Sequence, residues 1–181
     1  MRYPNAANGL RLMFIGQILM IVGVLLVWVP FVGALLLIAA PFVELLGIYR
    51  AGDDDDNYRA ALGFAVVAVV INLIVGFLSE GFLSSILDVA AEVVGLLMMF
   101  SVCNTTSNLL HSIGQEALSR RGGTVIKIYA ACTAVSIVCS VLGIIPIINI
   151  AAGLVSAVAG IVQIIGYVMY LLFLHDSSRA L

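Results

Sequence analysis

Apolar runs of membrane-spanning length recur along the chain, separated by short breaks marked by proline, charge or both. A bilayer core takes roughly 20 helical residues to cross. The runs predict helices near Gly9–Val29, Phe31–Tyr49, Tyr58–Leu78, Phe82–Cys103, Thr124–Ile145 and Asn149–Leu174. The first run is too long for the apolar part of a signal peptide and no small-x-small cleavage site follows it, so it is expected to stay as a helix. The pattern predicts an all-α integral membrane protein. Its fold would be a six-transmembrane-helix bundle of three helical hairpins (about 9–50, 58–112 and 124–175), forming a single domain over residues 1–181.

The breaks alternate in character, and this sets the expected orientation. The first and fifth, at Trp28-Val29-Pro30 and around Pro146 to Asn149, carry no charge, and the third has only Glu80. Every Lys and Arg falls on the other side: Arg2, Arg11, Arg50, Arg59, Arg120, Arg121, Lys127 and Arg179. Basic residues collect on the cytoplasmic side of membrane proteins, so both termini are expected to be cytoplasmic, in the plasma membrane. Pro30 and Pro146 stand at helix boundaries, where a missing N–H costs little.

Two polar segments lie on that basic side. "AGDDDDNYRAAL" reads as a short solvated loop whose last residues, Asp56 and Asn57, cap the third helix. Replacing Asp53, Asp54 and Asp55 is therefore expected to leave folding nearly intact. Four consecutive aspartates lack the alternating ligands and distal Glu of a calcium loop, so no metal is expected there. "SIGQEALSRRGG" reads as a basic loop, with a short amphipathic piece on the membrane surface as the alternative.

Polar residues inside the apolar runs are the candidate functional groups. Asp88 and Glu92 stand four apart on the fourth helix, at depths of about 9 Å and about 15 Å from the outer boundary by helical rise. Asn72 on the third helix falls in the same zone, whereas Gln17, Glu44 and Gln163 fall nearer the cytoplasmic side. A charged carboxylate at the bilayer centre costs at least about 2.5–3.5 kcal/mol, so such residues face the bundle interior or water and mark binding sites and pathways. No Arg or Lys lies at the depth of Glu92. Protonation, hydrogen bonds to groups such as Asn72, a water-filled cavity or a bound cation remain to accommodate the pair. Lys127 is placed to reach Glu44. The other reading of Glu44, Gln17 and Gln163 is interhelical hydrogen bonding that fixes packing.

The even-numbered helices share a small motif: Glu44 with Gly47, Glu92 with Gly95, and Gln163 with Gly166. A three-residue offset puts the polar group and the glycine on one helix face. The glycine admits a second helix and the polar group can then bond across the contact. Gly9, Gly16 and Gly23 recur every seven residues in the first helix, and Ala152, Ser156, Gly160 and Gln163 line a face of the sixth. Both are expected packing seams. The three-hairpin pattern, with Gly16, Gly23, Pro30 and Pro146, resembles the acid-resistance membrane proteins of the HdeD type. The middle hairpin departs from them in lacking a proline turn, and the aspartate loop has no counterpart there. In size the chain also resembles the substrate-binding subunits of energy-coupling-factor transporters, without a clear match to their small-residue coupling motif.

Composition narrows the partners. Hydrophobic residues make up 63% of the chain and charged residues 10%, whereas a soluble domain carries about a quarter charged, so most of the exterior must meet membrane lipid. The net charge of −2 and the lack of a basic stripe exclude nucleic acid as an expected partner. Cys103, Cys132 and Cys139 lie in apolar runs with no CxxC pair and read as small buried hydrophobes. Ser84, Asp88 and Glu92, spaced by four, resemble part of the metal-binding signature of CDP-alcohol phosphotransferases, but the preceding half of that signature is missing. No HExxH, GxSxG or cofactor motif occurs, so neither an enzyme nor a cofactor is expected. Two readings remain. The first is a transporter, or a transporter substrate-binding subunit, for a small solute, ion or proton, using Asp88, Glu92 and Asn72. The second is a non-catalytic structural or regulatory subunit, HdeD-like, that binds other membrane helices or a second copy.

Overall fold

The computed structural model describes residues 2–29, 31–78, 81–142 and 149–181, apart from the side chains of residues 82, 140–142, 149–154 and 156. Pro30, Glu80, Pro146 and the last residues expected of the fifth helix fall outside these, as do the side chains of Ala152 and Ser156. Among the described residues every regular element is an α-helix: α1 (Pro4–Leu25), α2 (Val32–Ala51), α3 (Asn57–Phe77), α4 (Phe82–Ser112), α5 (Glu116–Leu142) and α6 (Asn149–Ala180). All six are long and apolar enough to cross a membrane.

At the polar end of the chain the helices overrun the expected boundaries. α4 continues to Ser112, and the segment read as a basic loop is helical from Glu116 onward. Only Ile113–Gln115 turns the chain, with Gly114 in the left-handed region at φ 79° that glycine occupies without penalty. Glu116 pairs with Arg120 at 3.8 Å one turn on. Gly122, which looks like a helix breaker in sequence, is buried where an added Cβ would strike the Ser107 hydroxyl and, at 2.8 Å, the Phe173 ring. The glycine is there to let α5 approach α4 and α6.

Each helix packs against the next in sequence, and α6 closes the ring onto α1. The tightest seam joins α1 and α2. An added Cβ on Gly9 would lie 2.5 Å from the Gly47 carbonyl oxygen, and one on Gly16 3.0 Å from the Glu44 nitrogen. The seven-residue glycine spacing thus gives α1 a groove into which α2 settles backbone to backbone. Pro41 lies inside α2, where it removes the N–H that would bond the Leu37 carbonyl.

The buried core occupies the half of the bundle that holds both termini. Leu10, Ile48, Tyr58, Leu110, Val125 and Leu174, one from each helix, are at most 1% exposed. Tyr58 reaches across from α3 to share a 2.7 Å hydrogen bond with Thr106 of α4.

The aspartate loop ties this end together in a way that corrects the expectation that Asp54 is dispensable. Tyr3, at the N-cap of α1, offers no side-chain cap, and the first turn holds no acid. Asp54 supplies the missing acceptor from the α2–α3 connection. One carboxylate oxygen accepts the backbone N–H of Ala6 at 2.7 Å, the other the Asn5 side-chain amide at 2.9 Å. The positive end of the α1 dipole favours that charge. At α3, Asp56 makes no side-chain cap. Asp55 instead accepts the Asn57 N–H at 2.9 Å, and Asp56 pairs with Arg59 at 3.2 Å. Asp54→Ala should therefore cost about 1 kcal/mol, the usual worth of an N-cap, whereas Asp53→Ala, at an exposed site, should leave the melting temperature in detergent unchanged.

Candidate functional site

Asp88, Glu92 and Asn72 are all exposed, and helix phase says in which direction. Eighteen residues make five α-helical turns. Asp88 therefore shares its direction with Thr106, and Glu92 with Leu110, both 0% exposed. Asn72 follows the buried Ala65 by about two turns and the buried Ala61 by about three. All three polar residues thus continue stripes that form the core nearer the termini. The apolar, exposed Val93 and Leu97 lie about 100° and about 140° around α4 from Glu92.

The acids are exposed because packing stops short of them. A Cβ added at Gly76, one turn beyond Asn72, at Gly95, one turn beyond Glu92, or at Gly160 on α6 would meet nothing within 4 Å. Gly160 precedes the buried Leu171 by about three turns and so lies on its stripe. The bundle is closed at the end holding the termini; at the other, the core-facing stripes of α3, α4 and α6 are uncovered, while Gly23 of α1, Gly33 of α2 and Cys139 of α5 stay buried. Asp88 and Glu92, one turn apart on one face of α4, form an exposed acidic strip. Asn72 turns its amide back to donate to the Ala68 carbonyl at 2.9 Å. The Ser84 hydroxyl is bonded to the Gly81 backbone at 2.7 and 2.9 Å, so Ser84 serves the start of α4. Among the described residues no three His, Cys, Asp or Glu side chains come close enough to hold a metal ion.

Gln17 and Glu44 meet directly in the packed half. Gly16 lets the α2 backbone come close at Glu44, and the neighbouring Gln17, 7% exposed, donates its amide N–H to the Glu44 carboxylate at 2.5 Å. The Gln17 carbonyl oxygen accepts the hydroxyl of Tyr167 from α6. Gln163, half-buried, stands one turn before Tyr167. The expected Glu44–Lys127 pair is not among the ion pairs of the described residues, which are Arg59–Asp56, Arg120–Glu116 and Arg121–Asp176. Lys127 is exposed, since its long stem carries the ammonium outward, and Glu44 faces the α1 seam.

Sequence reasoning did not single out the tyrosines. Tyr167 closes the Gln17–Glu44 network. Tyr170, one turn on and 1% exposed, has a hydroxyl without a hydrogen-bond partner, a state that costs about 1–3 kcal/mol when nothing compensates it. The usable signal was the spacing Gln163, Tyr167, Tyr170, which aligns three polar groups on one face of α6.

No protein-family model, curated protein or solved structure matches the chain. The resemblances drawn from sequence thus rest on a few residues, and two of these, Gly16 and Gly23, are accounted for by the packing of α1 on α2.

A separate cleft of ≈ 450 Å³ lies between α5 and α6, lined by Ala131, Cys132, Val135, Val155, Val158 and Val162, among others. It is apolar and on different helices from the acids, so it offers nothing to coordinate a cation or a polar solute.

Proposed function

We propose that the chain is a multi-pass integral protein of the cell membrane, with both termini cytoplasmic, that binds and passes a small solute or cation through an outward-facing cleft lined by Asp88, Glu92 and Asn72. The observation that carries this reading is the placement of two exposed acids on the stripe that is fully buried core at Thr106 and Leu110. Acids on that stripe face the bundle interior, where water can hydrate them and a cation can balance them. The one-sided Lys and Arg placement supports the orientation. A reporter between Leu78 and Phe82 should be external and tags at both ends cytoplasmic.

Cysteine accessibility tests the cleft. In a background with Cys103, Cys132 and Cys139 replaced by alanine, Ser85→Cys, Asp88→Cys and Glu92→Cys should react with a membrane-impermeant maleimide. Val93→Cys and Leu97→Cys should not. Equal protection of both sets would refute the water-filled cleft.

The second reading is a non-catalytic subunit that binds other helices or a second copy. What favours it is the apolar α5–α6 cleft together with the uncovered Gly160, since small-residue faces are where membrane helices meet. Protection of the Asp88 and Glu92 positions in the maleimide experiment, with crosslinking through Val158→Cys, would support it.

A further inference from the structure

We propose that Glu44 is a proton-binding site of its own, inside the packed half of the bundle, whose state is relayed through the Gln17 amide to Tyr167 on α6. The groups around it are neutral hydrogen-bonding partners rather than cations. From α1 comes Gln17, bonded to the Glu44 carboxylate. From α6 come Tyr167, bonded to Gln17, and Tyr170; both lie within electrostatic reach of Glu44. Tyr129 of α5 lies within reach of the two tyrosines, and Cys103 of α4 within reach of Tyr170. None of the ion pairs of the described residues includes Glu44. A carboxylate in an apolar bundle without a cation partner is neutralised most simply by a proton.

The amide makes the site more than a passive acid. A glutamine side chain has a donor end and an acceptor end, so the end that faces Glu44 fixes the end that faces Tyr167. With Glu44 ionised, the amide N–H points to the carboxylate and the carbonyl accepts the Tyr167 hydroxyl, as observed. A proton added to the Glu44 carboxyl oxygen that Gln17 contacts turns that oxygen into a donor. The amide carbonyl then accepts from Glu44, and the amide N–H turns to the Tyr167 oxygen. Proton uptake at that oxygen therefore reverses the hydrogen bond that links α6 to the α1–α2 pair. Tyr170 is the independent sign of an exchangeable group here. Its hydroxyl is almost fully buried and unpartnered, an unused donor within electrostatic reach of Glu44. Pro41, three residues before Glu44, weakens the α2 backbone at this level.

Infrared difference spectroscopy on the full chain in liposomes tests this. It is done in an Asp88→Asn, Glu92→Gln background so that the cleft acids are silent. A protonated-carboxyl carbonyl band should appear on acidification and vanish reversibly on return to alkaline pH, and Glu44→Gln should abolish it. Persistence of that band in Glu44→Gln would overturn the site. Tyr167→Phe should keep the band but move its midpoint; an unmoved midpoint would overturn the relay. If Glu44→Gln does not fold, a hydrophobic carbodiimide applied to the unsubstituted chain decides instead. Labelling at Glu44 that slows at alkaline pH supports the site, and absence of label at every pH overturns it. None of these outcomes bears on the cleft, which the maleimide experiment reads separately.

Discussion

Gly47→Ala is expected to destabilise the bundle by about 3 kcal/mol, the upper end of the usual overpacking cost, while Gly95→Ala leaves it unchanged or slightly firmer. The two glycines occupy the same sequence motif, a glutamate three residues before a glycine. Their surroundings differ. A Cβ on Gly47 would sit 2.7 Å from the Gly9 carbonyl oxygen and 2.8 Å from the Met13 nitrogen. Both are backbone atoms that cannot rotate away, so α1 and α2 must separate along their whole seam. At Gly95 the same Cβ meets nothing within 4 Å, and alanine is the better helix former. Melting curves in one detergent compare the pair directly. Equal losses would mean that the α4 face is packed against something, and the open cleft would have to be abandoned.

The six helices are legible in the sequence because apolar runs of bilayer length have few alternatives. Their polar ends are not. Arg120, Arg121, Gly122 and Gly123 read as loop by composition, yet that stretch is helical because a glycine with tertiary neighbours answers to packing rather than propensity. Of the candidate site, the inner pairing of Gln17 with Glu44 could be anticipated from their shared layer, although the sequence also places Lys127 within reach of Glu44. Tyr167 and Tyr170 were hidden by their aromatic character within an apolar helix. The cap that Asp54 gives α1 was invisible because the contact is long in sequence and local cap rules look only to the following helix. The three copies of the glycine motif look alike on paper, but only contacts reveal that Gly47 is tightly packed, that a Cβ on Gly166 would lie 3.0 Å from the Ile128 side chain and that Gly95 faces open space.

Glu92→Gln is expected to weaken binding of the cation or proton-linked solute at least tenfold, about 1.4 kcal/mol, with stability held within about 0.5 kcal/mol of the unsubstituted chain. The separation of the two effects follows from exposure. Glu92 is exposed, so its carboxyl makes little contribution to packing, while in the proposed cleft its charge is what a cation would meet. The small change in stability should also have a definite sign. Asp88 and Glu92 stand one turn apart on one helix face, where like charges repel. That repulsion exists only while both are ionised. Glu92→Gln should therefore be slightly more stable at high pH and converge on the unsubstituted chain as the pH falls and the carboxyls protonate. Asp88→Asn removes the same repulsion and should follow the same course in stability, with a smaller loss of binding, because Asp88 stands nearer the outer end of α4. Melting curves for all three proteins across pH make the measurement. If Glu92 were instead a packing residue bonded as a carboxylate, glutamine would lose an acceptor and leave a donor in its place. A Glu92→Gln protein clearly less stable at every pH would sink the cleft and favour the helix-binding subunit.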